Sequence, residues 1–282
     1  MNGTSYLLAL DGSAESRTAA YFAWELAAQT GARVVAQHVI DTAAAWQFLS
    51  YDRPGFIGSG IYMEAREQIG SALRSIAEDL MLSYYSQVQG RSIESETFID
   101  EGDPACEIVR RAADHDIVII GHRSGPKRER LFETLVKSCP CPVLVVGGSA
   151  MQWSKVQMFV TDEIASAKSM QGIYHLGTAL GLISEVYIDA KADHTEREDL
   201  TLGGWSSAFG VQLFEHSTLK KLIESAPEDV FLVVPSDLTS GYLGSRYRVL
   251  LRTFLGGSQR RALLFWREKA ANQKSLISSP AA

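Results

Sequence analysis

The sequence predicts an α/β protein made of two tandem domains, each with a doubly wound parallel sheet. Short continuous apolar runs alternate with amphipathic helical patterns, which is typical of parallel strands covered by helices on both faces. The same order of elements recurs about 150 residues later, so that Asp11 and Asp162 follow corresponding strands. The chain has 282 residues, of which 46% are hydrophobic, so it is long enough for two such cores.

In the first half, each predicted strand is an apolar run that ends at a turn. Tyr6 to Leu10 leads into Asp11-Gly12-Ser13, and a helical pattern then runs from Glu15 to Thr30, with Gly31 as its C-cap. The elements predicted after these are strands at Val34–Val39 and Ser92–Ile99, a helix at Pro104–Ala113, a strand at Ile117–Ile120, a helix at Glu129–Ser138 and a strand at Pro142–Val146. Together they make one complete doubly wound unit.

The second half repeats this order less regularly. Its predicted elements are strands at Gln157–Val160, Val186–Ile188, Val230–Val234 and Ala262–Trp266, and a helix at Ala165–Leu180. It is shorter between its second and fourth strands. The first half has an additional segment there, at about 42–90, with an aromatic-rich part and a helical pattern from Met63 to Ser86. We therefore predict a first domain at 1–149 with an insertion at about 42–90, a degenerate second domain at 150–270 and a tail at 271–282.

Composition excludes several classes of function. The net charge is −6 and charged residues make up 21% of the chain, which argues against nucleic acid as the main partner. The longest apolar runs fall far short of the about 18 residues that a membrane helix requires. The segment from Met1 to Ala9 lacks the basic flank and cleavage site of a secretory signal. We therefore expect a cytoplasmic protein with neither a nucleic-acid nor a membrane partner.

The sequence also offers no positive support for a metal site or an enzyme. Cys139-Pro140-Cys141 lacks the spacing of a C-x-x-C motif, so these two cysteines are interpreted as packing residues at the entrance to a strand. With Cys106 the chain has three cysteines, too few to staple a fold of this size, which agrees with a reducing compartment. The histidines show no metal-ligand spacing, and no G-x-S-x-G, H-E-x-x-H or P-loop motif is present. We predict no metal and no catalytic residue.

Five segments resemble the universal stress protein family, and they occur in the family's order: Tyr6–Ser13, Gln37–Asp41, Gly102–Ala105, Asp116–Gly121 and Cys141–Val146. The second half resembles the family in element order and in Asp162. The resemblance implies the family's Rossmann-like fold, a five-stranded parallel sheet in each of the two domains. It further implies that copies pair through their last strands, so that one chain would hold an internal pseudo-dimer. It also implies an ATP site at the carboxyl ends of the strands, where open α/β sheets bind ligands.

The phosphate-binding motif that the resemblance implies is degenerate in this chain. Nucleotide-binding members carry Gly-x2-Gly-x9-Gly-Ser/Thr after the fourth strand, because glycines let backbone amides approach phosphate oxygens. Here Gly121 is present, Ser124 stands at the second glycine position with Gly125 one place later, and Glu129-Arg130 replaces the final Gly-Ser. A carboxylate at this place repels phosphate, although Arg130 and its basic neighbours partly offset the repulsion.

Other site residues follow from the same resemblance. It places Asp11 near the adenosine portion of a nucleotide and Val39 in the strand that lines the adenine pocket. Asp11 also has a structural interpretation, as an N-cap or Asx-turn residue, and a strand-to-helix turn favours Gly121 without any phosphate. In the second half, Gly244 and Ser245 precede a helical stretch and keep a helix N-terminus that favours an anion.

Three hypotheses about function follow from these residues. The first is a non-catalytic regulatory protein of the stress response that acts through protein partners or self-association, with nucleotide binding degenerate or lost. The alternative is an ATP-binding switch or slow ATPase. Its site would consist of Asp11, Val39, Gly121, Ser124 and Gly125, with help from the basic residues of the first-half loop. A third possibility is that a different anion, such as a phosphorylated metabolite, binds at Gly244 and Ser245. The cofactor is accordingly either ATP or none.

Overall fold

The structure is a computed structural model that describes residues 4–42, 59–122, 126–147, 153–160, 167–189, 210–214, 219–227, 229–236 and 262–267. The strands are β1 (Ser5–Ala9), β2 (Arg33–Ile40), β3 (Ser95–Glu101), β4 (Ile117–Gly121), β5 (Val143–Val146), β6 (Lys155–Val160), β7 (Ile183–Asp189), β8 (Gly210–Phe214), β9 (Val230–Pro235) and β10 (Ala262–Trp266). The helices are α1 (Ala14–Thr30), α2 (Ser59–Val88), α3 (Pro104–Ala112), α4 (Pro126–Ser138), α5 (Ala167–Ala179) and α6 (Leu219–Glu224), with a 3-10 turn at Gln89–Arg91.

All ten strands form one sheet, in the order β3-β2-β1-β4-β5-β10-β9-β6-β7-β8. Neighbouring strands are parallel except β5 and β10, which pair antiparallel with Val143 opposite Phe265 and Val146 opposite Ala262. The predicted α/β class with a mostly parallel sheet is therefore confirmed. The last five strands repeat the order of the first five, read from the opposite edge of the sheet. The two sets meet where β5, the last strand of the first set, pairs with β10, the last strand of the second. The division into two domains at residue 149 stays a prediction.

Some elements differ from the sequence prediction. Strand β8 was not assigned from sequence, although it completes the five-stranded order of the second half. Strand β3 begins at Ser95 rather than Ser92, because Ser92 has a left-handed φ of 53° that ends the preceding 3-10 turn. Helix α4 begins at Pro126 rather than Glu129, which agrees with the preference of proline for the first turn of a helix.

Helix α2 supplies the crossover between β2 and β3. Two parallel neighbouring strands cannot be joined by a tight turn, so the connection must cross the sheet, usually as a helix. The side chains of Ala77, Met81, Tyr84 and Val88 are buried at helical spacing and pack on one face of the sheet. The helical part of segment 42–90 thus belongs to the basic fold. The aromatic part of that segment lies outside the described residues.

Two cores lie on opposite faces of the sheet, and each contains side chains from both halves of the chain. On one face, under α1, α2 and α5, the ring of Phe22 meets Trp153 edge to face at 4.8 Å. On the other face, under α3, α4 and α6, Phe132 of α4 meets Phe265 of β10 at 5.3 Å. Burial of these large rings across both halves stabilises the shared sheet. Among the described residues, no helix combines the length and the apolarity that crossing a bilayer requires.

Candidate functional site

The candidate site lies at the carboxyl ends of β1, β2 and β4. The strand order reverses beside β1, because β2 and β3 lie on one side of it and β4 and β5 on the other. In the parallel register Ala9 stands beside both Gln37 and Ile120. Asp11, Val39 and Gly121 therefore lie at the same edge of the sheet, as the sequence predicted. Open α/β sheets form their ligand crevices at such a reversal.

The turn between β1 and α1 is built by Asp11, Gly12 and Ser13. Asp11 Oδ1 accepts a hydrogen bond from the Ser13 N–H at 2.9 Å, which makes an Asx turn. Gly12 has a φ of +78°, a conformation that favours glycine. Ser13, not Asp11, is the N-cap of α1, since Ser13 Oγ accepts from the Ser16 N–H at 3.1 Å. The N-cap interpretation of Asp11 was therefore wrong, the Asx-turn interpretation is confirmed, and the Asp11 side chain is exposed at the site.

Gly121 is required by packing between β4 and α1. A Cβ at this position would lie 2.4 Å from the carbonyl carbon and oxygen of Glu15 and 2.6 Å from the Ser16 nitrogen. These are backbone atoms of the first turn of α1, which cannot move aside as the end of a flexible side chain can. The glycine therefore serves helix packing, a reason that the sequence did not reveal, and this role needs no phosphate.

Histidines line two of the strand ends. The ring Nδ1 of His38 lies 2.8 Å from the carbonyl oxygen of Leu10, and because a carbonyl only accepts, Nδ1 carries the proton. This bond ties β2 to the residue before Asp11. The His122 N–H donates to the Val146 carbonyl at 2.8 Å, and its ring lies 6.3 Å from that of Phe132. His122 thus lies between the candidate site and α4.

The other predicted site residues are Val39, Arg130 and four residues that lie outside the described ranges. Val39 is half-buried and packs against the core beneath α3 and α4, and its role in an adenine pocket stays a prediction. Arg130 lies in α4. Ser124, Gly125, Gly244 and Ser245 lie outside the described residues, so their roles stay predictions. Within the described ranges, no group of three or more potential metal-ligating side chains occurs.

The cysteines behave as the sequence predicted for packing residues at the start of β5. Cys139 and Cys141 are buried and Cys106 is exposed, and all three are free thiols. Burial raises the pKa of Cys139 to about 12, so this thiol is protonated and unreactive at neutral pH.

A polar network beneath α3 was missed by the sequence analysis. Gln37, which is 1% exposed, donates from Nε2 to Asp100 at 2.7 Å and to the Glu107 carbonyl at 3.3 Å. Both oxygens of Asp100 accept from Arg111, at 2.8 to 3.1 Å. Burial alone would raise the pKa of Asp100, but hydrogen bonds from Arg111 and Gln37, together with the charges of Arg111 and Arg110, hold that pKa below its ordinary value. A glutamine within the apolar run of β2 was the available signal.

The sheet order defines a doubly wound α/β protein whose strand order reverses beside β1, which is where such sheets bind ligands. A model of the universal stress protein family matches residues 5–147, slightly more than half of the sequence. The chain belongs to the universal stress protein family.

Solved structures agree with this assignment at the level of fold. A universal stress protein from Archaeoglobus fulgidus DSM 4304 is similar over 94% of this chain and 97% of its own, with 13% identity and a TM-score of 0.63. The cytoplasmic domain of a prokaryotic cation chloride cotransporter is similar over 98% of both chains, with 11% identity and a TM-score of 0.54. A family protein from Arabidopsis thaliana, solved with AMP bound, is similar over 50% of this chain and 90% of its own, with 15% identity and a TM-score of 0.36. No curated protein matches the chain.

Proposed function

We propose that this protein is a non-catalytic regulatory protein of the stress response that acts by binding, and that its first-half nucleotide site is degenerate. The packing of Gly121 carries the proposal. The first turn of α1 lies against this glycine, and so the glycine that the chain retains from the phosphate-binding motif has a structural use of its own. Retention of Gly121 is therefore no sign of phosphate binding.

The sequence around α4 supports the same function. Glu129 lies near the start of α4, where family members that bind nucleotides place a small residue. The amino end of a helix attracts negative charge, and a carboxylate there competes with a phosphate for that attraction. We infer that triphosphate binding is weakened, and that the regulatory output comes from protein partners or from self-association of the chain.

An ATP-binding switch or slow ATPase is the second candidate. It is favoured by the exposed Asp11 carboxylate, which lies at the same edge as the half-buried Val39. Asp11 Oδ1 accepts from the Ser13 N–H in an Asx turn, and a carboxylate can accept several hydrogen bonds at once, as contact with a ribose hydroxyl would require.

Titration of the purified full chain with ATP, ADP and AMP separates these candidates, by calorimetry and by thermal shift. A dissociation constant near 1 mM gives about 1 kcal/mol of stabilisation at about 5 mM ligand, whereas one near 10 µM gives about 4 kcal/mol. We expect the smaller shift or none, and no phosphate release from ATP above the buffer rate. A shift of the larger size, or steady phosphate release, would overturn the proposal in favour of the ATP switch.

A further inference from the structure

Arg267 joins the end of the second half to a helix of the first. It follows β10, and its guanidinium donates from Nη1 to the Cys139 carbonyl at 2.9 Å. Nη2 donates to the carbonyls of Lys137 at 3.1 Å and Val136 at 3.3 Å. Nε donates to Ser236 Oγ at 3.1 Å, which fixes the guanidinium group from the side of β9. Three of these four acceptors are backbone carbonyls at the carboxyl end of α4.

These contacts suit the needs of a helix end. The last carbonyls of a helix have no partner within the helix and carry the negative end of its dipole. A guanidinium meets both needs, because it is a permanent cation with several donors in a rigid plane. The Phe132 ring of the same helix packs on Phe265 at 5.3 Å, which is a second contact between α4 and β10. Helix α4 is thus held by β10 at its middle and at its carboxyl end.

The opposite end of α4 faces the candidate site. The helix begins at Pro126, shortly after His122 at the end of β4. Phe132 lies between Phe265 and the His122 ring, 6.3 Å from the latter. Contacts therefore continue from β10 through α4 to the strand end where the family's phosphate loop starts. The residue that follows β5, in the place that Arg267 has after β10, is Gly147, which has no side chain to form the reciprocal contact.

We propose that Arg267 is a positioning residue: the second half clamps α4 through Arg267 and thereby fixes where α4 lies beside the strand end of β4 at the first-half site. The ligand affinity of the first half then depends on a residue of the second half that touches no ligand. The effect of Arg267 on ligand affinity rests on the proposed function, whereas the clamping of α4 does not.

Native-state hydrogen exchange of the full chain tests the clamp without any ligand. The test variant is Arg267→Met, which keeps the apolar stem and removes every donor. A second variant, Arg267→Lys, keeps the charge but not the planar set of donors. Tyr84→Phe is the matched control, because Tyr84 packs in the other core and accepts from Trp24 Nε1 at 3.1 Å, so its loss destabilises the protein away from α4.

We expect Arg267→Met to speed exchange in α4 and at the His122 N–H at least tenfold more than in α3, with Arg267→Lys between wild type and Arg267→Met. Tyr84→Phe should show no such preference for α4. Equal exchange in α4 and α3 of Arg267→Met, or the same pattern in Tyr84→Phe, would overturn the clamp.

ATP titration of the same variants tests the consequence for the site. Arg267→Met should bind ATP at least fivefold more weakly than the wild type. Equal affinities, or no measurable binding by either protein, would overturn the coupling but not the clamp. Tight ATP binding by the wild type contradicts the degenerate site but leaves the clamp standing, while unchanged exchange in α4 contradicts the clamp and leaves the proposed function standing.

Discussion

Ser5 Oγ and His115 Nδ1 lie 2.8 Å apart at the amino-terminal edge of the sheet, both buried. Arg33 Nε donates to the same Ser5 oxygen at 3.1 Å. The Ser5 hydroxyl thus bridges the buried imidazole of His115 and the guanidinium of Arg33. Burial, reinforced by the charge of Arg33, lowers the pKa of His115 from 6.5 to about 4.

Acid should therefore destabilise the protein through His115. Because the pKa of His115 is lower in the folded chain, the unfolded chain binds more protons between about pH 4 and 6.5. The contribution to stability is complete above about pH 6.5 and is lost as the pH falls toward 4, by about 2 to 3 kcal/mol. The unfolding free energy, measured in urea at several pH values across this range, should fall less steeply with decreasing pH in His115→Gln than in the wild type. Identical slopes in His115→Gln and wild type would contradict the assignment.

Gly121→Ala should destabilise the protein strongly. The added methyl would meet the first turn of α1 at 2.4 Å, so strand β4 or helix α1 must shift, at a cost of at least about 2 kcal/mol. Gly70→Ala in α2 is the control, because nothing lies within 4 Å of its Cβ position, and alanine there should add up to about 1 kcal/mol. Chemical denaturation measures both. A silent Gly121→Ala would refute the packing role.

Two neighbouring arginines on Asp100 should differ in their contribution to stability. Arg111 makes the two-pronged contact and its guanidinium lies 4.0 Å from the Phe98 ring centre, whereas Arg110 is exposed. Arg111→Ala leaves the half-buried carboxylate poorly paired and should cost about 2 to 3 kcal/mol. Arg110→Ala removes an exposed, solvent-screened pair and should cost much less. Equal losses of unfolding free energy would show that the network under α3 is not held by Arg111.

The hydrogen bond that Asp11 accepts in the turn should contribute more to stability than the charge of its carboxylate does. Asp11→Asn keeps an oxygen that can accept from the Ser13 N–H, while Asp11→Ala removes it. We expect thermal stability close to wild type for Asp11→Asn and a loss of about 0.5 to 1 kcal/mol for Asp11→Ala. If ATP stabilises the wild type but not Asp11→Asn, the carboxylate charge binds ligand, which favours the ATP switch.

Thiol reactivity should distinguish the three cysteines. Cys106 is exposed, while Cys139 and Cys141 are buried and the pKa of Cys139 is raised to about 12. A disulfide reagent should modify one thiol in the folded protein and all three in denaturant. The variant Cys139→Ser keeps two thiols, Cys106 and Cys141. Rapid modification of both in the folded variant would show that Cys141 is accessible and would contradict its burial.

Much of the first half was predictable because its signals are local. Gly31 ends α1 as its C-cap, with a φ of +67°, and Asp103 caps α3 by accepting from the Cys106 N–H at 2.9 Å. These depend on a few neighbouring residues and on the hydrophobic period. The edge that carries Asp11, Val39 and Gly121 was predictable as well, because parallel strands bring their carboxyl ends to one side. Strand β8 was missed because a short strand is specified by its neighbour in the sheet more than by its own residues.

The sequence by itself determined the class of fold, the family and the degenerate phosphate motif, since period, turn chemistry and glycine spacing are written in adjacent residues. The tertiary structure decided what single residues do: why β4 must end in glycine, which serine caps α1, and which partners Gln37, His115 and Arg267 find. Ser5 and His115 are 110 positions apart, and Arg267 and Cys139 are 128 apart. Contacts over such separations arise only when the whole sheet has assembled, so no local pattern encodes them.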